Sequence, residues 1–236
     1  MDRPSERRSA ARTSVVWQAL RPALDGAGDV LDIGGGTGGF AVRVAELGHR
    51  VSVVDPSPDA LAALARRAGE AGVVVAGQQG DLSTLLDLSG PDTADVVLCH
   101  GVLEVVDDPA AALATIREVL RPGGTLSLLV AQRHAAVVAR AMAGHFAQAR
   151  ALLDDPAAGG GRVGHRFTDD EVTGLLAGAG FEVTAVHGVR IFADLVPGSL
   201  LDLEPGATAA LVELEGAVSE RPEFRPLATQ LHVLAR

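Results

Sequence analysis

Apolar residues recur at helical spacing from Arg12 to Leu24, where Val15, Val16, Leu20 and Leu24 share a face with Trp17 beside them. The ten residues ahead are polar and are expected to be mobile. Beyond Leu24 the period changes, and short apolar runs alternate with helical stretches. Val30–Ile33, Val51–Val54, Val73–Ala76, Val96–Cys99 and Thr125–Val130 read as strands. Phe40–Leu47, Ala60–Ala68 and Asp108–Leu120 read as helices, the last stopped by Arg121-Pro122-Gly123-Gly124. Near-continuous apolar runs belong to strands buried on both faces, so the pattern predicts a parallel sheet covered by helices on each side.

The alternation breaks after the fifth strand. Residues 134–153 read as one long helix running into a glycine-rich stretch at 157–164, which predicts a small helical cap over 131–166. Thr168-Asp169-Asp170-Glu171 is a capping-box sequence that opens a helix to Ala179, with Gly180 as its stop. Glu182–Phe192 reads as a strand, Ala207–Val218 as a helix and Gln230–Ala235 as a last strand. The expected fold is therefore α/β and doubly wound. It is a Rossmann-like, seven-stranded, mostly parallel sheet with an antiparallel edge strand and the cap, forming one domain over 1–236.

The first strand ends in Asp32-Ile33-Gly34-Gly35-Gly36-Thr37-Gly38-Gly39. Glycines between a strand and a helix let a ligand approach the backbone, and the helix start adds free N–H groups. Asp55 ends the next strand, 21 residues after Gly34. That spacing suits a carboxylate holding ribose hydroxyls, although Asp55 ahead of Pro56-Ser57-Pro58 also suits a helix cap. A nicotinamide cofactor and S-adenosylmethionine (SAM) both satisfy these features. Asp32 favours SAM, because a carboxylate there can meet an ammonium and is unhelpful to a pyrophosphate. Gly80-Asp81-Leu82 follows the third strand, where a carboxylate can accept from an adenine amino group. Cys99-His100-Gly101-Val102-Leu103-Glu104-Val105-Val106 follows the fourth.

Composition removes other chemistries. All twenty basic residues are arginine and there is no tyrosine, so a Schiff-base lysine, a P-loop lysine and a tyrosine acid are excluded. Cys99 is the single cysteine, which fits a reducing cytoplasm. The seven histidines are scattered without metal-ligand spacing, so no metal is expected. No apolar run approaches the roughly 18 residues of a membrane span. The formal charge of −10 opposes nucleic-acid binding on average, yet 131–166 holds five arginines against two aspartates.

Over roughly residues 28–130 these motifs resemble the class I SAM-dependent methyltransferases. The resemblance implies that Gly34, Gly35, Gly36 and Gly38 line the methionine end of SAM. Asp55 would hold its ribose, and Gly80, Asp81 and Leu82 its adenine. The flanks narrow the resemblance: Arg12 to Gln18, Met142 to Phe146, Gly188 to Phe192, Ala210 to Glu215 and Leu231 to Arg236. Together they are similar to the bacterial methyltransferases that esterify carboxymethoxyuridine at the tRNA wobble position. That family implies an arginine at the place of Arg12 on the SAM carboxylate, and His100 beside the cofactor. The chain departs from the family pattern in being shorter ahead of Arg12. It also replaces a lysine-rich stretch with Ala157 to Arg166, where only Arg162, His165 and Arg166 are basic.

A carboxylate acceptor is already ionised at neutral pH and needs no strong base. The sequence offers no obvious base, though His100, His134 or His145 could serve. Arg190, at the end of a predicted strand, and Arg133 and His134, just past the fifth, sit where an anionic acceptor would approach. The candidate partners are thus SAM, S-adenosylhomocysteine as product, and an anionic acceptor such as tRNA. A small-molecule O- or N-methyltransferase is the alternative. A non-catalytic SAM-binding protein is the more remote one.

Overall fold

The computed structural model describes residues 4–155, 158, 164–203 and 206–236; the side chains of residues 4–12, 198, 202 and 203 lie outside that description. Helix α1 spans Pro4–Leu24 and so begins earlier than its apolar spacing, within the ten polar residues expected to be mobile. β1 (Asp29–Ile33), α2 (Ala41–Glu46), β2 (Arg50–Asp55) and α3 (Pro58–Ala71) follow. α3 starts where the Ser57 hydroxyl accepts from the Ala60 N–H at 3.2 Å, with Pro58 in its first turn, and stops at Gly72. β3 (Val75–Gln79) lies two residues later than its apolar run suggests. Val74 is 89% exposed, while the polar Gln78 and Gln79 pair with Val54 and Asp55 along the sheet edge.

α4 (Leu85–Ser89), β4 (Ala94–His100), α5 (Pro109–Val119) and β5 (Leu120–Ala131) complete this alternation. The Asp108 carboxylate caps α5 by accepting from Ala110 and Ala111, each at 3.0 Å. β5 already begins at Leu120, ahead of the predicted Thr125, because Leu120 pairs with Ala94 across a register irregularity. The predicted single helix over 134–153 is instead two, α6 (Arg133–Met142) and α7 (Phe146–Asp154). They are separated at Gly144, which takes the left-handed conformation with φ of 78°. Then come α8 (Asp169–Gly178), β6 (Val183–Val189), α9 (Gly198–Leu203), α10 (Ala207–Ser219) and β7 (Gln230–Ala235). β6 ends before the predicted Phe192 because Arg190 leaves the strand at φ of 60°.

The strands form a seven-stranded sheet in the order β3-β2-β1-β4-β5-β7-β6. β1 pairs in parallel with β2 and β4, β2 with β3, and β4 with β5. Glu182 and Arg236, flanking β6 and β7, exchange both backbone hydrogen bonds at 2.7 and 2.9 Å, the mark of an antiparallel pair. The doubly wound, mostly parallel sheet with antiparallel strands at one edge is thus present.

The chain divides into two compact units. One holds 23–129 with 173–184 and 234–236. Its core is Ile33, Val53, Val97, Leu98, Leu113, Ile116, Leu126 and Leu128, almost fully enclosed. The other holds 1–22, 130–172 and 185–233, with Val16, Leu20, Leu152, Phe167, Leu231 and Val233 in its core. Among the described residues no helix is long and apolar enough to cross a membrane.

Candidate functional site

In the first unit, β1 runs into the glycine turn at the carboxyl end of the parallel strands. The Gly34 N–H donates to the Val54 carbonyl at 2.7 Å, which ties the turn to the end of β2. Gly34 and Gly36 have φ of 65° and 55°, so the turn needs residues without a side-chain penalty. A Cβ on Gly34 would lie 2.4 Å from the Val102 methyl, and one on Gly38 2.3 Å from the Leu64 side chain. Gly38 therefore serves close packing against α3, whereas Gly36 stands open, with nothing nearer than 3.8 Å to its added Cβ.

Two carboxylates flank this turn. Asp55 accepts from the Gly36 N–H and the Ser57 N–H, both at 2.9 Å. A carboxylate offers about four lone-pair directions, so two remain for hydroxyl donors. Asp32 is 3% exposed beneath Gly35. Burial first, and then the negative charge of Asp55, push its pKa up to about 7. A buried carboxyl so poised favours a cation, which would restore its ionised form. The pair thus matches a ligand carrying an ammonium and a diol, and the open Gly36 leaves room for close backbone approach. These two acceptors fit SAM.

Beside the turn lies a cavity of about 530 Å³, lined by Gly34, Val54, Gly80, Leu82, Val102 and Val106 among others. Its rim includes Asp81, whose carboxylate is exposed and accepts from the Ser83 N–H at 2.9 Å and from the Ser83 hydroxyl. The Ser83 hydroxyl chiefly holds the Asp81 carboxyl below its usual range. Gly80 is required by packing: a Cβ there would meet Leu88 at 2.4 Å and Thr84 at 2.8 Å. His100, at the end of β4, is half-buried. Its Nε2 lies 2.9 Å from the Ser127 hydroxyl and its ring meets Phe40 edge-on at 4.9 Å. Burial pushes its pKa down to about 4, so the imidazole is neutral at physiological pH. Arg12 falls within α1, but its side chain is outside the described residues.

The acceptor-side candidates belong to the second unit. The Arg133 guanidinium bonds Glu171 at 2.7 Å. Glu171 also accepts from the Thr168 N–H at 2.8 Å, while its own N–H donates to the Thr168 hydroxyl at 3.3 Å, the reciprocal pair expected of a capping box. Arg133 is thereby engaged in fixing the starts of α6 and α8. His134 is exposed in the first turn of α6, with Nδ1 3.4 Å from the Gln132 amide nitrogen. Gln132 is buried and caps α6 through the Ala135 N–H at 2.8 Å. Arg190 pairs with Asp194 at 2.5 Å just past β6. The Thr229 hydroxyl lies 3.3 Å from the Arg190 carbonyl and 3.1 Å from Asp194. The Gln132 N–H donates to the Thr229 carbonyl at 3.0 Å, so Thr229 neighbours both Gln132 and Arg190.

The sequence places Glu215, a fully buried carboxylate on α10 that holds the turn carrying Arg190, only at the end of the Ala210 to Glu215 resemblance and gives it no role. The available signal was a lone acid within the buried stripe Leu211-Glu215-Val218. Among the described residues no group of three histidine, cysteine or acidic side chains is placed to hold a metal ion.

Comparisons with known proteins give the family and the fold. A family described as methyltransferase domain matches residues 31–126. The chain is 31% identical over 231 residues to a tRNA 5-carboxymethoxyuridine methyltransferase of Escherichia coli, covering 95% of this chain and 87% of that protein. It is 35% identical over 138 residues to a ubiquinone biosynthesis O-methyltransferase of Xanthomonas campestris, covering 58% of this chain and 56% of the relative. Among solved structures it resembles an S-adenosylmethionine-dependent methyltransferase from Mesorhizobium loti, with a TM-score of 0.63 and 22% identity over 94% of this chain and 97% of the other. A putative S-adenosylmethionine-dependent methyltransferase from Listeria monocytogenes gives a TM-score of 0.65 at 18% identity, covering 95% and 97% of the two chains.

Proposed function

The chain belongs to the SAM-dependent methyltransferases, and we propose that its acceptor is the carboxylate of a carboxymethoxyuridine at the wobble position of tRNA. The observation that carries this reading is the extent of the similarity to the E. coli tRNA enzyme, which runs through both units and not only through the glycine turn. The ubiquinone-pathway relative covers 58% of the chain and supports the second reading, a small-molecule O-methyltransferase.

SAM, when bound, supplies a methyl group on a sulfonium that is its own leaving group. The residues of this chain would bind and orient. Asp32 pairs with the ammonium, Asp55 takes the ribose hydroxyls, and the wall from Gly80 to Leu82 receives the adenine. Arg12 is proposed for the carboxylate end, where a guanidinium can form a forked pair. On the acceptor side, Arg190 and His134 orient the anion, with Arg133 fixing the helix start that carries His134. No general base is required, because a carboxylate is ionised at neutral pH; in-line alignment of acceptor and methyl carries the rate. Within this reading α6 and α7 are the described part of a cap over the acceptor, whose residues 156–157 and 159–163 lie outside the described structure, and the enzyme works in the cytoplasm with its tRNA.

The test is nucleoside mass spectrometry of tRNA bearing carboxymethoxyuridine after incubation with the protein and SAM. Conversion to the methyl ester is expected. Unchanged nucleoside, with methyl transfer to a phenolic small molecule instead, would favour the second reading.

A further inference from the structure

Glu215 sits in an apolar stripe of α10, between Leu211 and Val218, and its side chain is fully enclosed. A carboxylate in such a place is costly unless donors satisfy it. Three do, and they are consecutive. One oxygen accepts from the Phe192 and Ala193 N–H groups, each at 2.7 Å, and the other from the Ile191 N–H at 3.0 Å. Successive N–H groups converging on one point form a nest that ordinarily receives an outside anion. Here the protein's own carboxylate fills it. The turn so held begins at Arg190, whose φ of 60° is unfavourable for a residue with a side chain and persists only where the surroundings enforce it. Ile191 packs with Val218 and Ala228, and Phe192 and Phe224 close over them.

The Arg190 guanidinium is fixed on one edge by Asp194, while its Nε is buried without a hydrogen bond among the described residues. The Thr229 hydroxyl, with one proton to donate, lies within reach of both the Asp194 carboxylate and the Arg190 carbonyl. For packing alone, leucine would serve at position 215. A carboxylate is needed there only if the path of the turn, and with it the direction of Arg190, must be held.

We infer that Glu215 is a positioning residue: it clamps the 191–193 backbone so that Arg190 is aimed at the anionic acceptor. The inference rests on the acceptor role proposed above for Arg190. Glu215→Gln keeps the shape but turns an amide donor toward the N–H groups.

Four full-length proteins are compared: wild type, Glu215→Gln, Arg190→Ala and the double variant. The acceptor is an anticodon stem-loop carrying carboxymethoxyuridine. Glu215→Gln is expected to raise the acceptor KM about tenfold or more, as loss of one charge-assisted contact does, while SAM affinity by calorimetry stays within about twofold. The double variant should be no worse than Arg190→Ala alone, since both act through one group. Amides of Ile191, Phe192 and Ala193 should exchange hydrogen faster in Glu215→Gln. Unchanged exchange overturns the clamp. Faster exchange with an unchanged KM, or fully additive effects, overturns the positioning role. If Arg190→Ala leaves the KM unchanged, the acceptor role of Arg190 and this inference fall together. If the wild type does not methylate the stem-loop, the tRNA reading fails, and the clamp is decided by amide exchange alone. Should Glu215→Gln fail to fold, Glu215→Asp keeps the charge, shortens the reach and carries the same expectations at smaller size.

Discussion

Asp32 shows how one residue can link burial to ligand affinity. Its carboxyl is raised from the ordinary value near 3.8 to about 7, first by burial and then by Asp55. A bound ammonium requires the ionised form, so apparent SAM affinity should fall as pH drops through 7. The loss should be about tenfold between pH 8 and pH 6, following the ionised fraction. Calorimetric titration at both values checks this. Asp32→Asn should bind more weakly at pH 8 and show no such dependence; a slope unchanged by the substitution would remove Asp32 from the ammonium site. The stability of the free protein moves the other way. A raised pKa contributes stability below the unfolded value, and that contribution is lost as pH rises through 7. Relative to Asp32→Asn, the unliganded wild type should therefore lose thermal stability between pH 5 and pH 8.

At the scale of elements, the capping box at Thr168 ties two helix starts together. Burial pushes the Glu171 carboxyl up, but the Thr168 N–H and the Arg133 guanidinium outweigh it and leave its pKa below the ordinary value. Thr168→Ala should cost about 1 kcal/mol by the loss of the cap, read as a shift in the denaturant midpoint. Arg133→Ala should lower stability with little change in SAM affinity; an unchanged midpoint would mean that the ion pair at 2.7 Å contributes nothing. The box was legible in the sequence because it is a local pattern of four residues. So was the glycine turn with Asp55, since positive-φ backbone and a strand-end carboxylate follow from short spacings. The break at Gly144 was hidden because Ala141, Ala143 and Ala147 continue a helix-favouring composition through it. The clamp of Glu215 on Ile191 was hidden for a different reason: the two are 24 residues apart and meet only through tertiary packing.

At the scale of the whole molecule, the charge of −10 conceals an uneven distribution, and the distribution bears on the acceptor. Residues 131–166 carry five of the twenty arginines against two acids. Arg150, on α7, is exposed, and Met142 and Phe146 lie exposed on the adjoining turns at 70% and 71%. A body that is acidic elsewhere repels polyanions, so any RNA affinity must come from a few contacts. Each phosphate neutralised lowers log affinity by roughly 0.7–0.9 per log unit of salt. For about two to four contacts, tRNA affinity should fall on the order of 10- to 100-fold between about 50 and 200 mM salt, far less than for a basic RNA-binding domain. Arg150→Ala should reduce the slope by about one if its guanidinium meets a phosphate. SAM affinity should stay unaffected, since Arg150 is not among the residues assigned to the cofactor. Fluorescence anisotropy with labelled anticodon stem-loop across a salt series measures both quantities. A flat salt response would show that the acceptor is held by Arg190 and neighbouring groups alone, which is the behaviour of an enzyme for a free carboxylate and not for tRNA.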